Sequence, residues 1–102
     1  MNNRLEIYQN NTKEIVVAVI GLSDLTPYTP YLSVKRKATD ASTILFKQGV
    51  VSDPSGTFTF SLTATDTSLA ARDYVYDVVA EGNGNHITLA KDVLSILEGV
   101  YE

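Results

Sequence analysis

Thr57-Phe58-Thr59-Phe60-Ser61-Leu62-Thr63 alternates without a break, with Phe58, Phe60 and Leu62 on one side and Thr57, Thr59, Ser61 and Thr63 on the other. A repeat of two puts successive side chains on opposite faces of an extended chain, so this stretch predicts a half-buried antiparallel strand. Just ahead, Asp53-Pro54-Ser55-Gly56 supplies Pro where a turn fixes φ and Gly where a turn needs freedom, so the strand is entered from a tight turn.

The same period runs outward in both directions. Arg4 to Gln9, Glu14 to Ile20, Tyr31 to Lys37, Thr43 to Val51, Asp73 to Ala80 and His86 to Leu97 all read as strands, which with Thr57 to Thr63 makes seven. In the second run Ile15, Val17 and Val19 face one way and Val16, Ala18 and Ile20 the other. Apolar residues on both sides predict a central strand. The first run has one wet face, Arg4, Glu6 and Tyr8, and predicts an edge. Tyr74, Tyr76, Val78 and Ala80 form the expected core face of the sixth run. Glu81-Gly82-Asn83-Gly84-Asn85 then predicts a hairpin to Ile87-Thr88-Leu89. In the last run Ile87 and Leu89 keep one phase and Leu94 and Ile96 the other, so a bulge is expected near Lys91-Asp92. Thr65 to Arg72 has room for only a short turn crossing between strands. Seven short strands in about 100 residues predict an all-β fold: one domain over residues 1–102, built as a two-sheet antiparallel sandwich.

Composition narrows the function classes. The 102 residues contain no Cys, which excludes disulfides, a thiolate nucleophile and zinc sites built on Cys. The net charge of −4 disfavours nucleic acid and anionic membrane as partners. The longest apolar run, Ile15 to Ile20, is far short of the roughly 20 residues of a membrane span. Met1-Asn2-Asn3-Arg4 has no apolar run behind its charge, so the expectation is a chain without an export signal that starts where its fold starts. Asn10-Asn11-Thr12 matches a glycosylation sequon and reads as a polar turn.

Asp66-Thr67-Ser68-Leu69-Ala70-Ala71-Arg72-Asp73-Tyr74-Val75-Tyr76 resembles the corner leading into strand F of immunoglobulin-like domains. The resemblance implies that Tyr74 is a corner tyrosine whose hydroxyl returns to backbone a few residues upstream, and that Tyr76 stands where antibody domains keep a cysteine. Leu22-Ser23-Asp24-Leu25-Thr26, Leu32-Ser33-Val34-Lys35-Arg36, Asp53 to Leu62, Asp66 to Leu69, Tyr74 to Val78 and Ile87-Thr88-Leu89 together are similar to small immunoglobulin-like domains of tailed-phage structural proteins, such as the amino-terminal domain of phage upper baseplate proteins. This likeness implies a non-enzymatic virion protein, assembled in the host cytoplasm. Its role would be capsid decoration, an adaptor or a baseplate and tail module, with other virion proteins and copies of itself as partners. No long extension follows Tyr101-Glu102, which counts against a fibre anchor.

Chemistry-bearing residues are few. His86 is the single His, and no Gly-x-Ser-x-Gly elbow accompanies it, so no catalytic residue is assigned. Gly82-Asn83-Gly84 lacks the third glycine and the helix of a phosphate cradle, so no cofactor is assigned. Asp73, Asp77 and Glu81 recur every fourth residue on one strand face, about 13 Å apart, too far to share a calcium ion. Asp24 and Asp66 have no spacing argument between them, and no metal is assigned. Lys35-Arg36-Lys37 reads either as lysine protection of a strand edge or as a docking contact with an acidic neighbour. Thr26-Pro27-Tyr28-Thr29-Pro30-Tyr31 stiffens two aromatic rings. They form a recognition surface with Tyr28 first and Tyr31 second, or a cover for the sandwich end. The alternative function is a carbohydrate- or receptor-binding module that stacks a sugar on Tyr28 or Tyr31.

Overall fold

A computed structural model describes residues 4–19, 24–37, 39–40, 42–53, 56–82 and 84–98. Ile20, Leu22, Ser23, Pro54, Ser55, Asn83 and the Tyr101-Glu102 terminus, all used above, lie outside the described residues. Eight strands follow one another: β1 (Leu5–Tyr8), β2 (Lys13–Ala18), β3 (Thr29–Lys35), β4 (Leu45–Gln48), β5 (Val50–Asp53), β6 (Thr57–Leu62), β7 (Asp73–Gly82) and β8 (Asn85–Leu97). They form a five-stranded sheet in the order β1-β8-β7-β3-β4 and a three-stranded sheet in the order β2-β6-β5. The protein is all-β and two-sheeted.

The alternation of β6 governs its packing. Phe58, Phe60 and Leu62 are buried, while Thr57 and Thr59 are half-buried and Ser61 is exposed. Across the gap, β3 contributes Leu32 and Val34 and β7 contributes Tyr74, Tyr76 and Val78 to one cluster with Phe60, Leu62, Leu94 and Ile96. A second cluster, Val19, Leu25, Phe58 and Ala80, closes the end where β3 and β6 begin. Burying two phenylalanines fully is worth roughly 1.5–3 kcal/mol each, which makes β6 the spine of the small sheet.

Three strand expectations change. The run Thr43 to Val51 divides at Gly49 into β4 and β5, which belong to different sheets. A Cβ on Gly49 would meet the Phe60 ring and the Thr59 carbonyl at 2.8 Å, so only glycine lets the chain cross there. Its amide donates to Pro30 O at 2.9 Å. Second, β2 is an edge strand rather than a central one, with Val16 62% exposed. A β-branched residue favours extended backbone whether or not its outer side is covered, so a two-sided apolar run does not by itself place a strand centrally. Third, the bulge falls at Leu89: Val78 pairs with Ala90, and Val79 with Thr88. That placement lets both Leu89 and Ala90 pack on the core and keeps Lys91 on the outer face.

β1 is an edge strand, as expected, but it pairs with β8 in parallel, so one ladder departs from the antiparallel rule. The reason lies in the segment after it. Asn10 adopts φ 61°, and the polar turn carries the chain across to the other sheet instead of folding a hairpin. That turn is tied to the loop before β7, with Asn10 N donating to Thr67 O, the Thr67 hydroxyl donating to Asn11 O at 2.7 Å, and Gln9 Nε2 donating to Leu69 O at 2.8 Å. The loop itself is a short turn closed reciprocally. Thr63 N donates to Asp66 Oδ2, and Asp66 N donates to Thr63 Oγ1.

Candidate functional site

Tyr74 is the second residue of β7 and is 3% exposed. Its hydroxyl donates to Ala70 O, four residues upstream, at 2.7 Å, and the Arg72 guanidinium lies 5.6 Å from its ring centre. Tyr76, two residues on, points into the same core. Burial raises its pKa first, and the negative charge of Asp92 raises it further.

The two loop tyrosines part company. Tyr28 is half-buried and packs on the Val19, Leu25, Phe58 and Ala80 cluster, so its ring covers the sandwich end. Tyr31 lies on the outer face of the five-stranded sheet and stacks on Phe46 of β4, with centroids 5.3 Å apart and planes 22° from parallel. Phe46 is 59% exposed. Sequence reasoning missed Phe46 because Leu45-Phe46-Lys47-Gln48 alternates equally well with either phase inward. The decisive signal is the pairing of Ser33 with Phe46, which puts Phe46 on the outer side.

Lys35-Arg36-Lys37 protects no edge, because β3 lies between β7 and β4. β3 ends at Lys35, so Arg36 and Lys37 extend beyond the sheet and are exposed. The device that guards the real edge is Lys47 on β4, whose side chain turns inward and bonds Asp66 Oδ2 at 2.7 Å. That bond, with the Thr63 amide, holds the Asp66 carboxyl below the usual carboxylate range. Lys35 lines a shallow depression with Ser33, Val75, Asp77 and Lys91, and register places Ser33, Asp77 and Lys91 in one row across the sheet. Asp73 is exposed. Ser95 Oγ donates to it at 2.6 Å, Arg4 approaches at 3.3 Å, and its carboxyl is also held low.

His86 is exposed at the β7–β8 hairpin, 3.8 Å from Glu81. Asp24 accepts from Thr26 N, whereas Asp66 sits in the loop at the other end of the sandwich, so the two carboxylates do not converge. Among the described residues no group of three His, Asp or Glu side chains is placed to hold a metal, and no helix is long and apolar enough to cross a membrane.

One surface pattern stands out physically. Among the described residues the large hydrophobic side chains more than half exposed are Tyr8, Val16, Phe46 and Val50, and each lies on a different sheet-edge strand: β1, β2, β4 and β5. Apolar side chains beside unpaired backbone donors and acceptors suit contact with another chain better than contact with water. No family model matches the chain, and no curated protein matches it.

Proposed function

We propose that this domain is a non-enzymatic, immunoglobulin-like building block of a tailed-phage particle, acting through protein-protein contacts in capsid decoration, as an adaptor or in the tail and baseplate. The observation that carries the contact reading is the exposure of Tyr8, Val16, Phe46 and Val50 on the four edge strands. The Tyr31–Phe46 stack supplies a rigid aromatic anchor of the kind that dominates interface energetics. The immunoglobulin-like reading is supported by the order β2-β6-β5 facing β3-β7-β8 and by the Tyr74 hydroxyl returning to Ala70. The phage reading is supported by the resemblance of the turn and strand motifs. Fractionation of purified particles tests it: the protein co-purifies with virions, and a photo-crosslinker at position 46 captures a virion protein. Absence from purified particles rejects it.

A second reading, carbohydrate binding, is favoured by the exposed Phe46 ring, braced by its stack on Tyr31 and lying near Gln48, since sugars stack on exposed rings. Glycan-array binding that disappears in both Tyr31→Ala and Phe46→Ala supports it, and binding that survives both eliminates it.

A further inference from the structure

The charges of this chain are separated along the strands. At the end where β3, β6 and the β7–β8 hairpin meet, the described residues 15–19, 24–31, 48–53, 56–60, 79–82 and 84–88 include Asp24, Asp53 and Glu81 and no Lys or Arg. All eight Lys and Arg lie outside this set, Lys47 and Lys91 in the middle rows of the sheet and the rest farther away, and eight carboxylates match them in number. Three of the four net negative charges therefore sit on one loop end, the fourth being Glu102. At the opposite end of β3, Lys35, Arg36 and Lys37 make no ion pair among the described residues, and Lys91 adds a fourth cation beside Lys35. Asp77, Asp40 and Asp92, the acidic groups nearby, offset part of that charge and leave the Lys35–Lys37 end net positive.

Within one molecule these ends cannot meet. Thr29 pairs with Glu81 and Lys35 with Val75, so six residues of strand, roughly 20 Å, separate them. That is more than twice the screening length of about 8 Å at physiological salt, so each end meets a neighbour with its own sign intact. We infer that the basic end at Lys35-Arg36-Lys37 is a docking surface for the acidic loop end of a second copy, giving head-to-tail association. The inference rests on the reading of the domain as an assembly module. A contact between two different patches is heterologous, so it generates rings or open chains rather than a closed pair. Exposed Thr26 and Pro27 beside Asp24 give the acidic end a stiff surface to present.

Sedimentation velocity on the purified chain tests this. Wild type shifts from monomer toward dimer with rising concentration at about 0.02 M salt and loses the shift at about 0.5 M. The variant Lys35→Glu/Arg36→Glu/Lys37→Glu has two acidic ends, and Asp24→Lys/Glu81→Lys has two basic ends. Each alone stays monomeric, and an equimolar mixture regains association because every end again meets its opposite. Should either multiple variant fail to fold, Arg36→Glu and Glu81→Lys serve alone and in mixture. A wild type that stays monomeric at low salt, association indifferent to salt, or a mixture that fails to recover overturns the inference. So does a monomeric wild type whose Lys35–Lys37 amide resonances move on adding a Glu-Thr repeat peptide or a single-stranded oligonucleotide. Monomeric behaviour of a protein present in purified particles rejects only the self-docking. Absence from particles rejects the assembly reading itself.

Discussion

Replacing Tyr74 by Phe removes one oxygen atom and tests the corner directly. The ring stays, so its burial at 3% exposure and its contact with the Arg72 guanidinium at 5.6 Å are both preserved. Only the 2.7 Å bond to Ala70 O is lost. A net intramolecular hydrogen bond is worth about 0.5 to 1.5 kcal/mol, and more when a buried partner is left bare. Ala70 is exposed, so water can take over its carbonyl and the cost falls in the lower half of that range. With a urea slope of about 1 to 3 kcal/mol per molar for a small domain, a loss of about 1 kcal/mol lowers the midpoint by roughly 0.3 to 1 M. For a chain of this size the same loss lowers Tm by about 4 to 8 °C. Urea unfolding followed by far-ultraviolet circular dichroism reads both the midpoint and the slope. Tyr74→Leu, which also removes the aromatic face from Arg72, is less stable still. A Tyr74→Phe midpoint within about 0.1 M of wild type, at unchanged slope, refutes the reasoning that this bond holds the loop to β7.

Other perturbations rank around it. Phe60→Ala empties a fully buried ring position between the sheets and costs about 3–5 kcal/mol, read by the same titration. Gly49→Ala drives a methyl group into the Phe60 ring and the Thr59 carbonyl, so it costs about 1–3 kcal/mol, and a neutral result would mean that β4 and β5 do not cross there. Asp66→Asn changes the pH profile. Its carboxyl is held low in the folded state first by Lys47 and then by the Thr63 amide, so its contribution is present above the unfolded value of about 3.9 and fades as pH falls through the folded one. The stability gap between wild type and Asp66→Asn is therefore widest near neutrality and closes in acid. A gap of equal size at pH 7 and pH 2 contradicts the ion pair. Asp24 and Asp73 shift the same way, so the variant keeps part of the acid sensitivity.

Alternation alone made β6 and β7 legible. A strict period of two leaves one arrangement that buries Phe58, Phe60 and Leu62 opposite Tyr74, Tyr76 and Val78, whatever the rest of the chain does. The turn chemistry of Asn10-Asn11-Thr12 and the residue order around Tyr74 are equally local. The candidate site was only half visible. Tyr31 stands out in its Pro-rich loop, but its partner Phe46 does not, because Leu45-Phe46-Lys47-Gln48 offers two phases and only pairing with Ser33 selects one. Tyr28 shows the converse, since an amphipathic ring in a Pro-rich loop suits binding and covering alike until Leu25 and Phe58 appear beneath it.

The chain by itself determines that this is a strand protein with a greasy interior and a wet exterior, since side-chain period and turn residues act over a few residues and carry their own geometry. Which strands are edges is a property of neighbours far away in sequence. β2 carries apolar residues on both sides yet ends up at an edge, β3 carries three cations at its end yet lies inside a sheet, and a seemingly continuous run splits at Gly49 to serve both layers. Those outcomes depend on which backbone donors and acceptors find partners across the whole fold. Hydrogen-bond pairing between strands is a long-range choice that no local pattern encodes.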